Sequence, residues 1–279
     1  IINAAECVKS VEAAVAQAEK SSGQKIKRAY LSVGGIGLGS VISNGQTIVS
    51  RADQSITELD MDLAIQTAEE AIPASIIQNR KIIYTIPISW KIDGKTVLGR
   101  TLGLKGLKLE VKALFVTCLE SHVNDLLEAV EEAGIDVIDV VASPIAASFV
   151  TLSKPQKIAG CVLVNIGAET LSIVVFENNI PISIEVFPIG SADITNDIAL
   201  GLKVALEEAE TIKLGGLTHS SYPRKKLEEI ISARLGDMFE FIENHLKKIG
   251  KNGLLPAGII LTGGGSYINS IEDMARHAL

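Results

Sequence analysis

Three short segments place residue types at spacings that could hold a phosphorylated ligand. In Val164-Asn165-Ile166-Gly167-Ala168-Glu169-Thr170 a glycine sits in a tight connection between two apolar runs. Backbone N–H groups facing outward from such a turn can cradle phosphate oxygens, and Thr170 adds a hydroxyl. Read alone, the segment is first of all an ordinary hairpin turn. Leu261-Thr262-Gly263-Gly264-Gly265-Ser266 lies between a strand-like run and a helix-like one. Without Cβ atoms its backbone can lie flat against a ligand, and a helix N-terminus directly after it favours negative charge. Three glycines cost more unfolded-chain entropy than a plain turn requires, so this segment is read as functional. The third segment, Ala209-Glu210-Thr211-Ile212-Lys213, sets Glu210 and Lys213 three apart on one helix face. Alone it amounts to an exposed ion pair worth roughly a few tenths of a kcal/mol.

The composition excludes several other chemistries. A net charge of -7, with no run of Lys and Arg interleaved with aromatics, leaves no footprint for a nucleic-acid partner. Cys7, Cys118 and Cys161 stand far apart among apolar neighbours and read as small core residues of a reducing cytoplasm. His122, His219, His245 and His277 never stand at ligand spacing with each other or with a cysteine, so no metal site is expected. No apolar run approaches the ~20 residues needed to span a bilayer. The chain opens at Ile1 on residues that already read as helix, without a methionine or a signal pattern, and is expected to be a fragment.

Periodicity supplies the elements that must position the three segments. A helix is predicted over residues 3–20, with Val8, Val11 and Val15 on one face. Short strands follow at 29–33, 41–43 and 47–50, the last two joined at Asn44-Gly45, a hairpin signal. Thr57 and Asp60 resemble a capping box opening a helix that Pro73 ends. Strands at 81–86 and 107–115 complete a small α+β unit over residues 26–117. A helix ending at Gly134 and a strand at 135–141 lead to a meander of three antiparallel strands, 158–166, 170–176 and 181–187. Helices at 194–202, 206–214 and about 225–249 precede a strand at 258–262, the glycines and a last helix from about 266. This order is that of an α/β nucleotide-binding half, with ligands beyond the carboxyl ends of the strands.

Taken together, the three segments resemble the actin, Hsp70 and sugar-kinase superfamily, and within it the bacterial cell-division family FtsA. The stretch 189–199, with Gly190, Asp193, Thr195 and Asp197, followed by Glu208-Ala209-Glu210-Thr211-Ile212-Lys213, is similar to FtsA, as is Gly103-Leu104-Lys105-Gly106-Leu107-Lys108-Leu109-Glu110. The resemblance covers essentially the whole chain. It implies an actin-like, ribonuclease H-like, two-lobed α/β fold with an inserted α+β subdomain. A first lobe would comprise 1–25 and 118–157, the insertion 26–117, and a second lobe 158–279 with a small fourth subdomain at about 214–250. It further implies ATP and Mg²⁺ as cofactors, at a site expected to be incomplete in residues 1–279, which lack the family's first phosphate loop and should by themselves bind nucleotide poorly. Asn165, Gly167, Ala168, Glu169 and Thr170 would form the second phosphate loop, Glu210 and Lys213 the ribose and adenine contacts, and Gly263, Gly264 and Gly265 the adenosine loop.

The implied protein is an adaptor that polymerises into filaments and tethers FtsZ to the inner membrane at the division site. It binds the FtsZ C-terminal tail, for which Arg234 is the candidate contact, and it holds the membrane through a C-terminal segment not present in residues 1–279. The connection 214–226 leaves little room for the strands the family places near that docking site. The phosphate loop begins with neutral Asn165 where the family usually has Asp, and Ser143 before Pro144 stands where MreB carries a water-positioning Glu. No catalytic residue is therefore assigned, and the expected activity is a weak ATPase at most. A PilM-like pilus-assembly protein, a sugar or acetate kinase, and a nucleotide-free scaffold are the competing readings.

Overall fold

The computed structural model describes residues 3–216 and 222–278; His219 and the middle of the 214–226 connection lie outside them. The chain divides into two compact units, Ile1–Ala146 and Ala147–Leu279.

The first unit opens with helix α1 (Ala4–Ser22), capped by Asn3 accepting from Glu6 N–H at 3.2 Å and closed by left-handed Gly23. Strands β1 (Arg28–Val33) and β2 (Gly39–Ile48), helices α2 (Glu58–Glu70) and α3 (Ala74–Ile77), and strands β3 (Arg80–Ile92), β4 (Lys95–Thr96) and β5 (Lys108–Leu119) follow. Helix α4 (Glu120–Glu132), strand β6 (Asp136–Ala142) and helix α5 (Ser143–Thr151), which crosses into the second unit, come next. β1 pairs in parallel with β6, and α1 packs on α4. The antiparallel sheet, ordered β2-β5-β3-β4, begins at Gly39. Its core joins Leu109, Val111, Ala113 and Phe115 of β5 to Ala64 and Ala68 of α2.

One turn signal in this unit carries a different meaning from the one the sequence suggests. β2 runs straight through Asn44-Gly45, so no hairpin forms there. A Cβ on Gly45 would strike Ala64 O and Ala68 N of α2, and the glycine exists to let helix and strand backbones touch. The tight turn is instead Asp93-Gly94, both at positive φ (49° and 80°), joining β3 to β4. The capping box of α2 is present: Asp60 accepts from Thr57 N–H at 2.8 Å and from Ser50 N–H at 2.9 Å. Burial raises the Asp60 pKa, but these bonds and the Thr57 hydroxyl outweigh it and hold the carboxyl at about 2.

The second unit contains α6 (Lys154–Ala159), β7 (Cys161–Ile166), β8 (Leu171–Glu177), β9 (Ile180–Phe187), α7 (Ser191–Leu202), α8 (Leu206–Lys213), α9 (Arg224–Lys248), β10 (Ile259–Thr262) and α10 (Ile271–Ala278). β7, β8 and β9 form the antiparallel meander, and β10 returns parallel to β7. The strand expected from residue 158 starts at Cys161. The preceding residues are α6, opened by a Ser153–Gln156 capping box with Pro155 in its first turn. The helix expected from about residue 266 starts at Ile271. Gly263 at φ +88° turns the chain into a 3-10 turn, Gly264–Tyr267, closed by Ser266 N–H and Oγ donating to Gly263 O at 3.1 and 2.7 Å. No α-helix N-terminus therefore follows the glycines directly.

Of the described histidines, His245 on α9 is the one packed into a core, with Nε2 2.8 Å from Ser183 Oγ of β9 and Nδ1 3.7 Å from the Glu185 carboxylate. Burial, and then the Lys248 ammonium, push its pKa from 6.5 down to about 4. As pH falls from 6.5 to 4, the unfolded chain takes up a proton that the folded chain refuses. Stability present above pH 6.5 is thus lost through that window, by about 3 kcal/mol at most. Urea midpoints at pH 7 and pH 4.5 should show this loss in the parent chain, and His245→Gln should flatten it.

Candidate functional site

The three segments singled out in the sequence all belong to the second unit: the turn and the glycine loop meet at the carboxyl end of β7, and the Glu210–Lys213 segment joins that turn through α7. Register pairs Asn165 with Thr262, so the phosphate-loop candidate and the glycine loop leave the sheet side by side. Gly263 and Gly265 lie against β7: a Cβ on Gly263 would strike Asn165 Oδ1 and Ile166 O, and one on Gly265 would strike Ile166. Two of the three glycines are thus needed for loop-to-loop packing. Gly264 differs, since a Cβ there meets nothing within 4 Å and the residue is exposed.

The turn itself is closed by Gly167 N–H donating to Thr170 O at 2.8 Å. Its other side is held by α7, whose Ser191 and Ala192 N–H groups donate to Gly167 O and Ala168 O at 2.9 and 2.8 Å. Gly190 makes that approach possible, because a Cβ there would strike Ala168 O and fall 2.7 Å from Glu169 N. The N–H groups of Ala168, Glu169 and Thr170 and the Thr170 hydroxyl donate to no acceptor among the described residues. Ala168 and Glu169 are exposed. Three unengaged amide donors and a hydroxyl on one turn suit a phosphate group.

Glu210 and Lys213 on α8 make their ion pair at 2.7 Å, but it is not the exposed pair that spacing alone suggests. The Lys213 side chain is 6% exposed, and its Nζ also donates to Thr195 Oγ1 at 2.8 Å and to Ser191 O at 3.1 Å. Thr195 in turn donates to Glu210 Oε2 at 2.5 Å. Burial pushes the Glu210 carboxyl up, but Lys213 and Thr195 outweigh it and hold it below the ordinary value. Lys213 is consumed in positioning α8 on the first turn of α7, whereas Glu210 keeps 45% of its side chain exposed. Sequence reasoning missed Thr195, Ser191 and Gly190 as parts of the site. Their signal lay in the spacing Ser191 to Thr195, one helical turn, ahead of the Glu210–Lys213 pair.

Arg234 on α9 lies apart from this turn. It forks onto Asp197 of α7, Nε to Oδ2 at 2.6 Å and Nη2 to Oδ1 at 3.0 Å, with Asp237 3.4 Å from Nη1. It is therefore a pinned side chain rather than a solvated one, and it borders a recess of about 340 Å³ with Ile189, Asp237 and Phe241.

A meander, a return strand parallel to its first member, and a glycine loop packed on a turn across that strand pair make this an actin-like fold, of the α/β class. A model of "Cell division protein FtsA" matches residues 162–279, and one of the "SHS2 domain inserted in FTSA" matches 38–117. The chain belongs to the FtsA family. "Cell division protein FtsA" of Bacillus subtilis is 28% identical over 300 residues, covering 100% of this chain and 67% of the relative. That of Pseudomonas aeruginosa is 27% identical, covering 99% and 70%. A solved PilM–PilN type IV pilus biogenesis complex superposes with a TM-score of 0.58 at 20% identity, over 86% of this chain and 64% of that one. That likeness is one of fold alone. The chain thus spans about two thirds of the length of the proteins it matches.

Removing the buried cation tests the α7–α8 joint. Lys213→Met should lower unfolding stability by about 1–3 kcal/mol, because two hydroxyl and carbonyl partners and a carboxylate lose their charged donor together. Urea unfolding measures it, and Glu210→Gln, which keeps acceptors for Lys213 and Thr195, should cost less.

Proposed function

We propose that this chain is the ATP-binding core of an actin-like cell-division adaptor that polymerises and tethers FtsZ filaments to the cytoplasmic face of the inner membrane. The observation that carries the reading is the cluster of unengaged donors at Ala168, Glu169 and Thr170, set beside the open Gly264 in the part of the chain that matches FtsA. The three N–H groups and the Thr170 hydroxyl would hold phosphate oxygens. The bare backbone at Gly264 would lie against adenosine, and the half-exposed Glu210 would meet the ribose with Lys213 fixing it. Mg²⁺ would ride on the phosphates near Asn165 and Glu169, the polar side chains of that turn. The division of the chain into a first lobe, an inserted α+β subdomain and a second lobe belongs to the same proposal, supported by the inserted-domain match at 38–117.

Because Ser143 offers no carboxylate base, ATP would act as a structural ligand, hydrolysed slowly. Isothermal titration of the full-length protein with ATP and Mg²⁺ should show one site. Gly264→Ala should weaken it at least tenfold without moving the thermal midpoint, since the added Cβ meets open space. An unchanged affinity would reject the assignment, and single-turnover hydrolysis near ~1 s⁻¹ would rule out the structural role.

The FtsZ tail would dock at Arg234, in the recess beside α9. Arg234→Glu should weaken tail binding at least tenfold. The doubly substituted Asp197→Arg, Arg234→Glu chain, which keeps the internal pair with its charges exchanged, should remain weak. Recovery of binding in that exchanged chain would mean that Arg234 serves only to hold α7 on α9.

A further inference from the structure

The first unit carries an unassigned surface around the outer edge of β2, and its reading does not depend on the nucleotide site. β2 stands at the end of the order β2-β5-β3-β4 and pairs only with β5, over ten residues in continuous register without a bulge. Its other edge has no strand beside it among the described residues. Exposed edges are normally shielded by charges, proline or a bulge, because their free N–H and C=O groups recruit other strands. Gly39–Ile48 contains no charged residue and no proline.

A cavity of about 660 Å³ opens over this part of the sheet, reaches the β2 edge at Asn44, Gly45 and Gln46, and past Gly45 is bounded by Thr67 of α2. Register lines Lys112 of β5 between Asn44 and Ser89, and Glu110 between Gln46 and Lys91 of β3. The lining therefore offers amides and a hydroxyl together with two ammonium groups. Glu110 is engaged by Lys108 at 2.5 Å, whereas Lys91 and Lys112 make no ion pair among the described residues. A chain with a net charge of -7 thus keeps a locally cationic cavity beside an unshielded strand edge.

We propose that this cavity receives an extended, acidic segment of a partner protein. The segment bonds main chain to main chain along the open edge of β2 and turns its carboxylates over the sheet towards Lys112 and Lys91. Backbone pairing supplies affinity that any sequence could share, and the lysines supply the preference for acidic side chains. With strands about 4.8 Å apart, an added strand lies about 10 Å from β5, so a glutamate and Lys112 can meet. Lys91 is one strand further and acts through its field, which salt screens over about 10 Å at 0.1 M.

The test is fluorescence anisotropy of the full chain with a labelled octapeptide of alternating glutamate and valine, at low and high salt. Binding is expected, weakened at least tenfold by Lys112→Glu and less by Lys91→Glu, and absent for the lysine–valine counterpart. A peptide N-methylated on alternate residues should lose at least tenfold, because the edge then has no donors to pair with. Circular dichroism and thermal midpoints of the variants should match the parent, both lysines being exposed. No binding of the acidic peptide, or binding unchanged by Lys112→Glu, overturns the proposal, and indifference to N-methylation overturns the strand pairing. Lys112-dependent binding to phosphatidylglycerol vesicles in place of the peptide would assign the surface to lipid instead.

Discussion

At the carboxyl end of β7, three glycines bring their backbone directly against the strand end and its turn, and the arrangement of the candidate site depends on that contact. Gly263 and Gly265 press on Asn165 and Ile166 from one side, and Gly190 presses on Ala168 and Glu169 from the other. A methyl group at any of these three positions would have to displace main-chain or packed β7 atoms, which a dense interior does not allow without shifting whole elements. The entropy that glycine costs in the unfolded chain is offset by what the approach permits. One short turn is flanked at once by a strand partner, a glycine loop and the first turn of a helix.

The first unit uses the same device once, at Gly45, where α2 lies directly on β2. That contact lets the helix backbone lie on the strand at Ala64 and Ala68, with Met61 and Ile65 of α2 packed on the same core. The other glycines of this unit that matter act through φ or through a single neighbour. Gly103 sits at φ +84° with its N–H on Ile56 O, while Gly106 leaves room for Ile92.

Much of the architecture could be read from the amino acids, because it rests on local rules. The meander, the helices α2, α7, α8 and α9 and the glycine loop all announce themselves by periodicity, caps or apolar runs. What was not legible depends on contacts distant in sequence. Asn44-Gly45 has the composition of a turn and becomes mid-strand only because a helix some twenty residues on needs the space. The Glu210–Lys213 spacing gives an ion pair, but only α7 decides that the lysine is buried and already engaged. Arg234 likewise looks like one more helix cation until Asp197, on another helix, claims its fork. The capping box at Ser153 was available and was overshadowed by the apolar run that follows it.

The bonds around Lys213 tie the two ends of the candidate site into one linkage. Glu210 holds Lys213, Lys213 holds the carbonyl of Ser191, and the N–H of Ser191 holds Gly167. A pull on the carboxylate at the α8 end is therefore felt, four groups away, by the turn that presents Ala168 and Glu169. In mechanical terms the start of α7 is a brace between α8 and that turn.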